Sequence, residues 1–416
     1  MSIDYRNAQL YELYDFQYGT GNTIENIGGD FPIYGSNGIV GYTNKFNSED
    51  APVIGHIGAY AGIVNWAYGK HYVTYNGVIC KIKKNINPRF GYYSLLNSNL
   101  QGRLRGSTQP FVSYDLLNEV KTYLPERKIQ DRIAKVLSDL DAKIELNNRI
   151  NRELEAMAKT LYDYWFVQFD FPNELGKPYK SSGGKMVYNA ELKREIPEGW
   201  EVGNIGDYCP STGGFAFKST WWTNEGVSVV KIKDIQEDYT IDISNLSKVD
   251  ITDKKIDDKF KANPGDILIA MTGATVGKYG IVPITDYPIY VNQRVGYFNL
   301  GKEPTEKLPY LINSLNQPYF REMIFSLASG AAQPNISNEQ INRISLIIPE
   351  RTLVNKYNLK FAPFYKTILN NQRQNQQLTE LRDWLLPMLM NGQVTVKEAE
   401  ESLSMAAEPS VEYKKG

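Results

Sequence analysis

The segment Gly106-Ser107-Thr108-Gln109-Pro110-Phe111-Val112-Ser113 returns 224 positions later as Gly330-Ala331-Ala332-Gln333-Pro334-Asn335-Ile336-Ser337. The same shift carries Pro125-Glu126-Arg127 onto Pro349-Glu350-Arg351, then Ile144 onto Ile368, Asn147 onto Asn371 and Leu154 onto Leu378. Chance rarely holds a register over roughly fifty residues, so the chain reads as a tandem duplication. A fainter echo sets Gly58-Ala59-Tyr60-Ala61-Gly62 against Gly273-Ala274-Thr275-Val276-Gly277, and Asn76 against Asn292. With 416 residues, the chain exceeds what one hydrophobic core encloses. Two related folding units with variable insertions follow.

Each half ends in apolar residues spaced three and four apart, the mark of a helix packing along a narrow seam. The first such stretch covers 126–166, with Ile133, Val136, Leu140, Asn147, Ile150, Leu154 and Leu161 on the seam. The second covers 350–392 and places Tyr357, Phe364, Asn371, Leu378, Leu381 and Leu385 there, interrupted by Lys360, Thr367 and Gln374. Asparagine on a seam costs stability but selects register and partner. Asn147 and Asn371 hold equivalent places, which predicts that the two helices pair with each other, the other reading being two separate surface helices. The remaining divisions are a β-rich first head over 1–125, a linker over 167–198 dense in Pro, Gly and Ser, a second head over 199–349, and a fraying tail over 393–416. The fold class expected is α+β: two β-rich α/β domains joined by two long antiparallel coiled-coil helices with pseudo-twofold symmetry.

Composition excludes several functions. Two histidines leave almost no material for histidine-based catalysis or a histidine metal site, and Cys80 and Cys209 lack partners at ligand spacing. Buried free thiols are the reading for both, and a loop or strand-edge position the reading for His71. No metal, cofactor or catalytic residue is expected in this chain. The Gly273–Tyr279 stretch has the wrong glycine spacing for a phosphate loop, with Tyr279 where a metal-binding hydroxyl belongs. Asn316-Gln317-Pro318-Tyr319 lacks a proline of the amino-methyltransferase signature and reads as a turn entering a helix. No run of eighteen apolar residues and no leader pattern appear, so a cytoplasmic location is expected. Net charge is −1, yet Ala51 to Tyr114 holds no Asp or Glu and seven Lys or Arg among its residues. That local basic field fits nucleic acid, or a solvated face with no partner.

The duplicated layout, the paired helices and the Gly-x-x-Gln-x-x-Ile/Val-Ser segments ahead of each Pro-Glu-Arg together resemble the specificity subunit of type I restriction-modification enzymes. Tyr164-Trp165-Phe166, Ser182-Gly183-Gly184-Lys185-Met186, Ile196-Pro197-Glu198-Gly199-Trp200-Glu201 and Tyr34-Gly35-Ser36-Asn37-Gly38-Ile39-Val40-Gly41-Tyr42 add to the likeness, which spans most of the chain. The resemblance implies two target-recognition domains, each reading half of a split double-stranded DNA site, on conserved spacer helices. It also implies two methyltransferase subunits and up to two restriction-translocase subunits as partners. Those partners would carry S-adenosylmethionine, ATP and Mg, and the chemistry of adenine methylation and cleavage. A stand-alone DNA-binding or coiled-coil adaptor, and a self-contained methyltransferase with diverged motifs, stay open beside it.

In the first head, phosphate contacts are expected from Lys81, Lys83, Lys84, Arg89, Arg103 and Arg105. Base contacts are expected from Asn37, Tyr42, Tyr60, Asn76 and Gln109, which sit beside glycines that let a backbone approach DNA closely, or that only make tight turns. The second-head candidates are Lys218, Lys231, Lys233, Thr275, Lys278, Asn292, Gln293, Arg294 and Gln333. Gln109 and Gln333 hold equivalent positions, which favours a shared loop contact. Methyltransferase docking is expected near Tyr162, Trp165, Phe166 and Trp384, aromatics that equally suit a local core. A helix of about forty residues is roughly 60 Å long, a ruler that predicts a bipartite target with an unread spacer.

Overall fold

Residues 127–162 hold neither glycine nor proline, and in the computed structural model they form one unbroken helix, Arg127–Tyr162. A second helix, Arg351–Met390, matches it in the other half. The structure describes residues 5–21, 28–104, 109–328 and 334–399. The chain divides into two compact units, Met1–Ile144 with Gln377–Gly416, and Glu145–Gln376, so each long helix contributes to both.

In the first unit, Ile133, Val136, Leu137 and Leu140 of the first helix share a core with Leu385, Leu389 and Met390 of the second. Arg382 donates to Asp141 at 3.0 Å across that pairing. In the second unit, Asn147 Nδ2 donates to Gln374 Oε1 and to Asn375 Oδ1, both at 2.8 Å. Asn371 donates to Asn151 at 2.8 Å, and Tyr357 donates its hydroxyl proton to Ala158 O at 2.7 Å. Partner numbers fall as residue numbers rise, so the helices run antiparallel. The seam asparagines therefore pair the helices as expected, with residues three or four positions from their counterparts.

The first head is a six-stranded sheet in the order Tyr14–Tyr18, Gly77–Ile82, Ser48–Gly55, Val64–Val73, Phe31–Gly35, Gly38–Thr43. Only the pairing of Phe31–Gly35 with Val64–Val73 is parallel. The second head splits into a four-stranded sheet, centred on Ile267–Ala270 and Val295–Phe298, and a five-stranded sheet, centred on Val227–Val230 and Ile289–Val291. That last pairing is again parallel. Each head closes on the same base, an antiparallel pair made by Arg6–Gln9 with Lys121–Leu124 and by Glu201–Asn204 with Ser345–Ile348. Short helices Leu10–Leu13 and Ile205–Tyr208 follow, both opened by a capping box. Ser113 caps Leu116 N at 3.1 Å, and Ser337, 224 positions on, caps Gln340 N at 3.2 Å.

The segment between the halves is tied down. Phe169 is buried, Met186–Asn189 pairs with Arg194–Pro197, and Tyr179 stacks on Phe171 at 4.6 Å. At the other end Val396 and Ala399 are buried in the core of the first unit, so ordered chain continues past the residue where fraying was expected. Residues 400–416 lie outside the described residues. His71 is a correction, since it is fully buried in the strand Val64–Val73 and burial lowers its pKa. Cys80 and Cys209 are buried free thiols. Among the described residues no helix is long and apolar enough to cross a membrane.

Candidate nucleic-acid interface

One hydrogen-bonded loop cage is built twice. In the first head, His56 N donates to Asn76 O at 2.9 Å, Gly58 N to Pro110 O at 2.9 Å, Val112 N to His56 O at 2.9 Å, and Gly62 N to Gly55 O at 2.8 Å. In the second, Met271 N donates to Arg294 O at 3.1 Å, Gly273 N to Pro334 O at 2.9 Å, Ile336 N to Met271 O at 2.9 Å, and Gly277 N to Ala270 O at 2.8 Å. Gly58, Gly62, Gly273 and Gly277 all have φ between 81° and 89°, the left-handed region that glycine adopts without strain. The glycines thus make tight turns, and those turns bring side chains together at one end of each sheet.

Matching these bonds shows a register that drifts. Gly19 N donates to Gly77 O and Gly214 N to Val295 O, while Thr74 N donates to Tyr34 O and Asn292 N to Val230 O. Structurally, then, Asn76 matches Arg294 and Thr74 matches Asn292, which corrects the sequence pairing of Asn76 with Asn292. Extra chain after Val230, and again between Gly277 and Asn292, in the second head accounts for the drift.

Around the first cage stand Asn37, Tyr60, Asn76 and Gln109, all exposed. Ser36 Oγ donates to Asn76 O at 2.7 Å and ties the Asn37 turn to the cage. Tyr75, 43 % exposed, was missed by residue reasoning, for nothing in the sequence distinguishes it from 28 other tyrosines. Its ring braces against His56 at 5.0 Å, and His56 stacks on Tyr18 at 4.4 Å. Tyr42 projects from the edge strand Gly38–Thr43. Exposed Arg103 follows Gln101, whose backbone lies against Gly62 of the cage.

The lysine run is elsewhere. Asn76 precedes the strand Gly77–Ile82, whereas Lys83 and Lys84 follow it, about 20 Å away at roughly 3.3 Å per residue. Lys81 lies opposite Asp15 in the sheet, and Lys83 donates to Tyr11 O at 2.8 Å. Arg89 is stacked on Trp66 at 4.3 Å and donates to Tyr68 Oη at 2.6 Å. Arg105 and Gln333 fall outside the described residues.

In the second head, Thr275, Gln293 and Arg294 surround the cage, Gln293 and Arg294 exposed. Asn292 is half-buried, its side-chain oxygen accepting from Arg294 N at 3.3 Å. Lys278 is paired with Glu237 at 3.0 Å, and Lys218 lies 5.9 Å from the Trp221 ring. Lys231 and Lys233 line a cavity of about 790 Å³ together with Lys248, Trp222, Asn245 and Tyr287. Lys231 Nζ sits 3.5 Å from the Trp222 ring, and partial burial lowers its pKa. Lys248 escaped sequence reasoning because strand pairing, not spacing, sets it opposite Ser228.

Tyr162, Trp165 and Phe166 are a correction. Tyr162 ends the first long helix and Trp165 and Phe166 sit in the widened π turn that follows, Asp163–Val167; all three are buried in the core of the second unit, where they pack with Trp200, Tyr310 and Tyr357. Trp384, in the first unit, is 50 % exposed. Among the described residues no group of three or more His, Cys, Asp or Glu is placed to hold a metal ion.

The profile of the "Type I restriction modification DNA specificity domain" family matches residues 8–156 and 197–380. The Type I restriction enzyme MjaIX specificity subunit of Methanocaldococcus jannaschii is 27 % identical over 328 residues, 76 % of this chain and 72 % of that protein. The HindI specificity subunit of Haemophilus influenzae is 25 % identical over 341 residues, 70 % of this chain and 72 % of its own. The crystal structure of a type I restriction-modification S subunit from M. genitalium superposes with a TM-score of 0.55, at 16 % identity, over 93 % of this chain and 96 % of that one.

Proposed function

Since the chain belongs to the type I restriction-modification DNA specificity family, we propose that it reads a bipartite, asymmetric target, one head to each half-site. The family assigns this chain the recognition of DNA and leaves bond making to other subunits. One observation carries the finer reading: the same cage occurs in both heads with different side chains around it. Equal frames would meet DNA in equal ways, and unequal side chains would select unequal bases.

Base contacts are assigned to the cage residues Asn37, Tyr60, Asn76 and Gln109 in the first head, and Thr275, Gln293 and Arg294 in the second. Phosphate contacts fall to Arg103 and the lysine run, and to Lys231, Lys233 and Lys248. Two methyltransferase subunits dock on the long helices, with Trp384 as one exposed anchor, and restriction-translocase subunits join them. S-adenosylmethionine, ATP and Mg are held by those partners.

Exchanging residues 1–125 for another first head tests the division of labour. Sequencing the methylated sites of cells that carry the exchange should reveal a change in one half of the motif. Changes in both halves would refute one head per half-site.

A further inference from the structure

We infer that Asn76 and Arg294 are the residues that give the two half-sites their different sequences, Asn76 by selecting adenine and Arg294 by selecting guanine. The inference rests on the DNA-recognition reading and deepens it. Both residues occupy one position of the twice-built cage, because the carbonyl of each accepts the amide at the start of the glycine loop, from His56 at 2.9 Å and from Met271 at 3.1 Å. A second bond, from Ser36 Oγ at 2.7 Å, holds Asn76 still further.

Main-chain anchoring fixes where each side chain starts, and both side chains are exposed. Among the described residues no carboxylate lies within ion-pair distance of Arg294, whereas Lys278 nearby in sequence is spent on Glu237. An anchored backbone with an unspent side chain is the arrangement base readout requires, since a site held loosely loses its discrimination. The chemistry then differs by residue. An asparagine amide offers a donor and an acceptor that match adenine N7 and N6, and an arginine fork offers two donors that match guanine O6 and N7. Neighbouring cage positions differ as well, Tyr60 against Thr275 and Tyr75 against Gln293; tyrosine and threonine contact several bases comparably, and Gln293 offers an amide that suits adenine beside the arginine fork that suits guanine.

The test uses the full-length chain assembled with its methyltransferase subunits, and a pool of duplexes with randomised bases. Wild-type complex is expected to retain a two-part motif. Arg294→Lys keeps the charge but not the fork, so it should hold DNA while losing roughly tenfold preference for guanine at one position of one half. Asn76→Arg should move one position of the other half from adenine toward guanine. Arg294→Gln, which keeps the main-chain bond, provides a second variant should the lysine substitution fold poorly. Variants that bind DNA and return the wild-type motif overturn the inference while leaving DNA recognition intact. A wild-type complex that retains no motif at all overturns the DNA-recognition reading, and the inference falls with it.

Discussion

Replacing Phe166 by alanine separates a core aromatic from a docking one. The ring is 5 % exposed and stands 5.0 Å from Tyr162, 5.1 Å from Tyr310 and 5.3 Å from Tyr357. Deleting a buried phenyl group costs its transfer energy plus the cavity left behind, about 3–5 kcal/mol. For a unit the size of Glu145–Gln376, each kcal/mol lowers the melting temperature by about 2–4 °C. Calorimetry of the full-length chain without partners should therefore record a fall of roughly 10 °C. Trp384→Ala, at a half-exposed position, should cost about 1 kcal/mol and instead weaken co-elution with the methyltransferase on a sizing column. Should Phe166→Ala melt within about 2 °C of wild type while losing the methyltransferase, the ring belongs to an interface and the packing account given for it is wrong.

Three further outcomes are expected. Asn147→Ala removes two 2.8 Å hydrogen bonds from a side chain that is 1 % exposed, and denaturant unfolding should show a loss of about 2 kcal/mol; a loss under about 0.5 kcal/mol would mean the polar layer contributes nothing to the helix pairing. Lys83→Glu with Lys84→Glu should reduce the slope of log affinity against log salt by about one per phosphate contact, and an unaltered slope would remove the far end of the Gly77–Ile82 strand from the footprint. Matched deletions of four residues from both long helices shorten each by about 6 Å, so the spacer in the methylated motif should lose about two base pairs; a spacer of the original length would refute the ruler.

Much of the fold was legible because duplication repeats chemistry as well as shape. Ser113 and Ser337 were visible as one motif and prove to be one cap, and the seam asparagines do join the two helices. Fixed-shift comparison failed where insertions intervene. Gly19 and Gly214 play one role, as do Asn76 and Arg294, yet neither pair is found at the shift that serves the helices. Only the hydrogen bonds, which count no residues, align them. The basic field looks like one patch because its lysines are near in sequence, but a strand of six residues sets Asn76 and Lys83 at opposite ends. Trp165 and Phe166 suit core or surface equally in sequence, since helical periodicity cannot foresee the π turn that holds them.

By itself, then, the chain's order of residues determined that two like units exist, that each ends in a long helix with an asparagine on its seam, and that the chain holds two histidines. These depend on local pattern and composition, which survive any arrangement in space. Tertiary structure alone decided which side chains share the cage, that Lys248 joins Lys231 and Lys233 at one cavity, and that Phe166 is core. Those outcomes depend on contacts between residues far apart along the chain, and cross-strand register and loop closure, not sequence distance, bring such residues together.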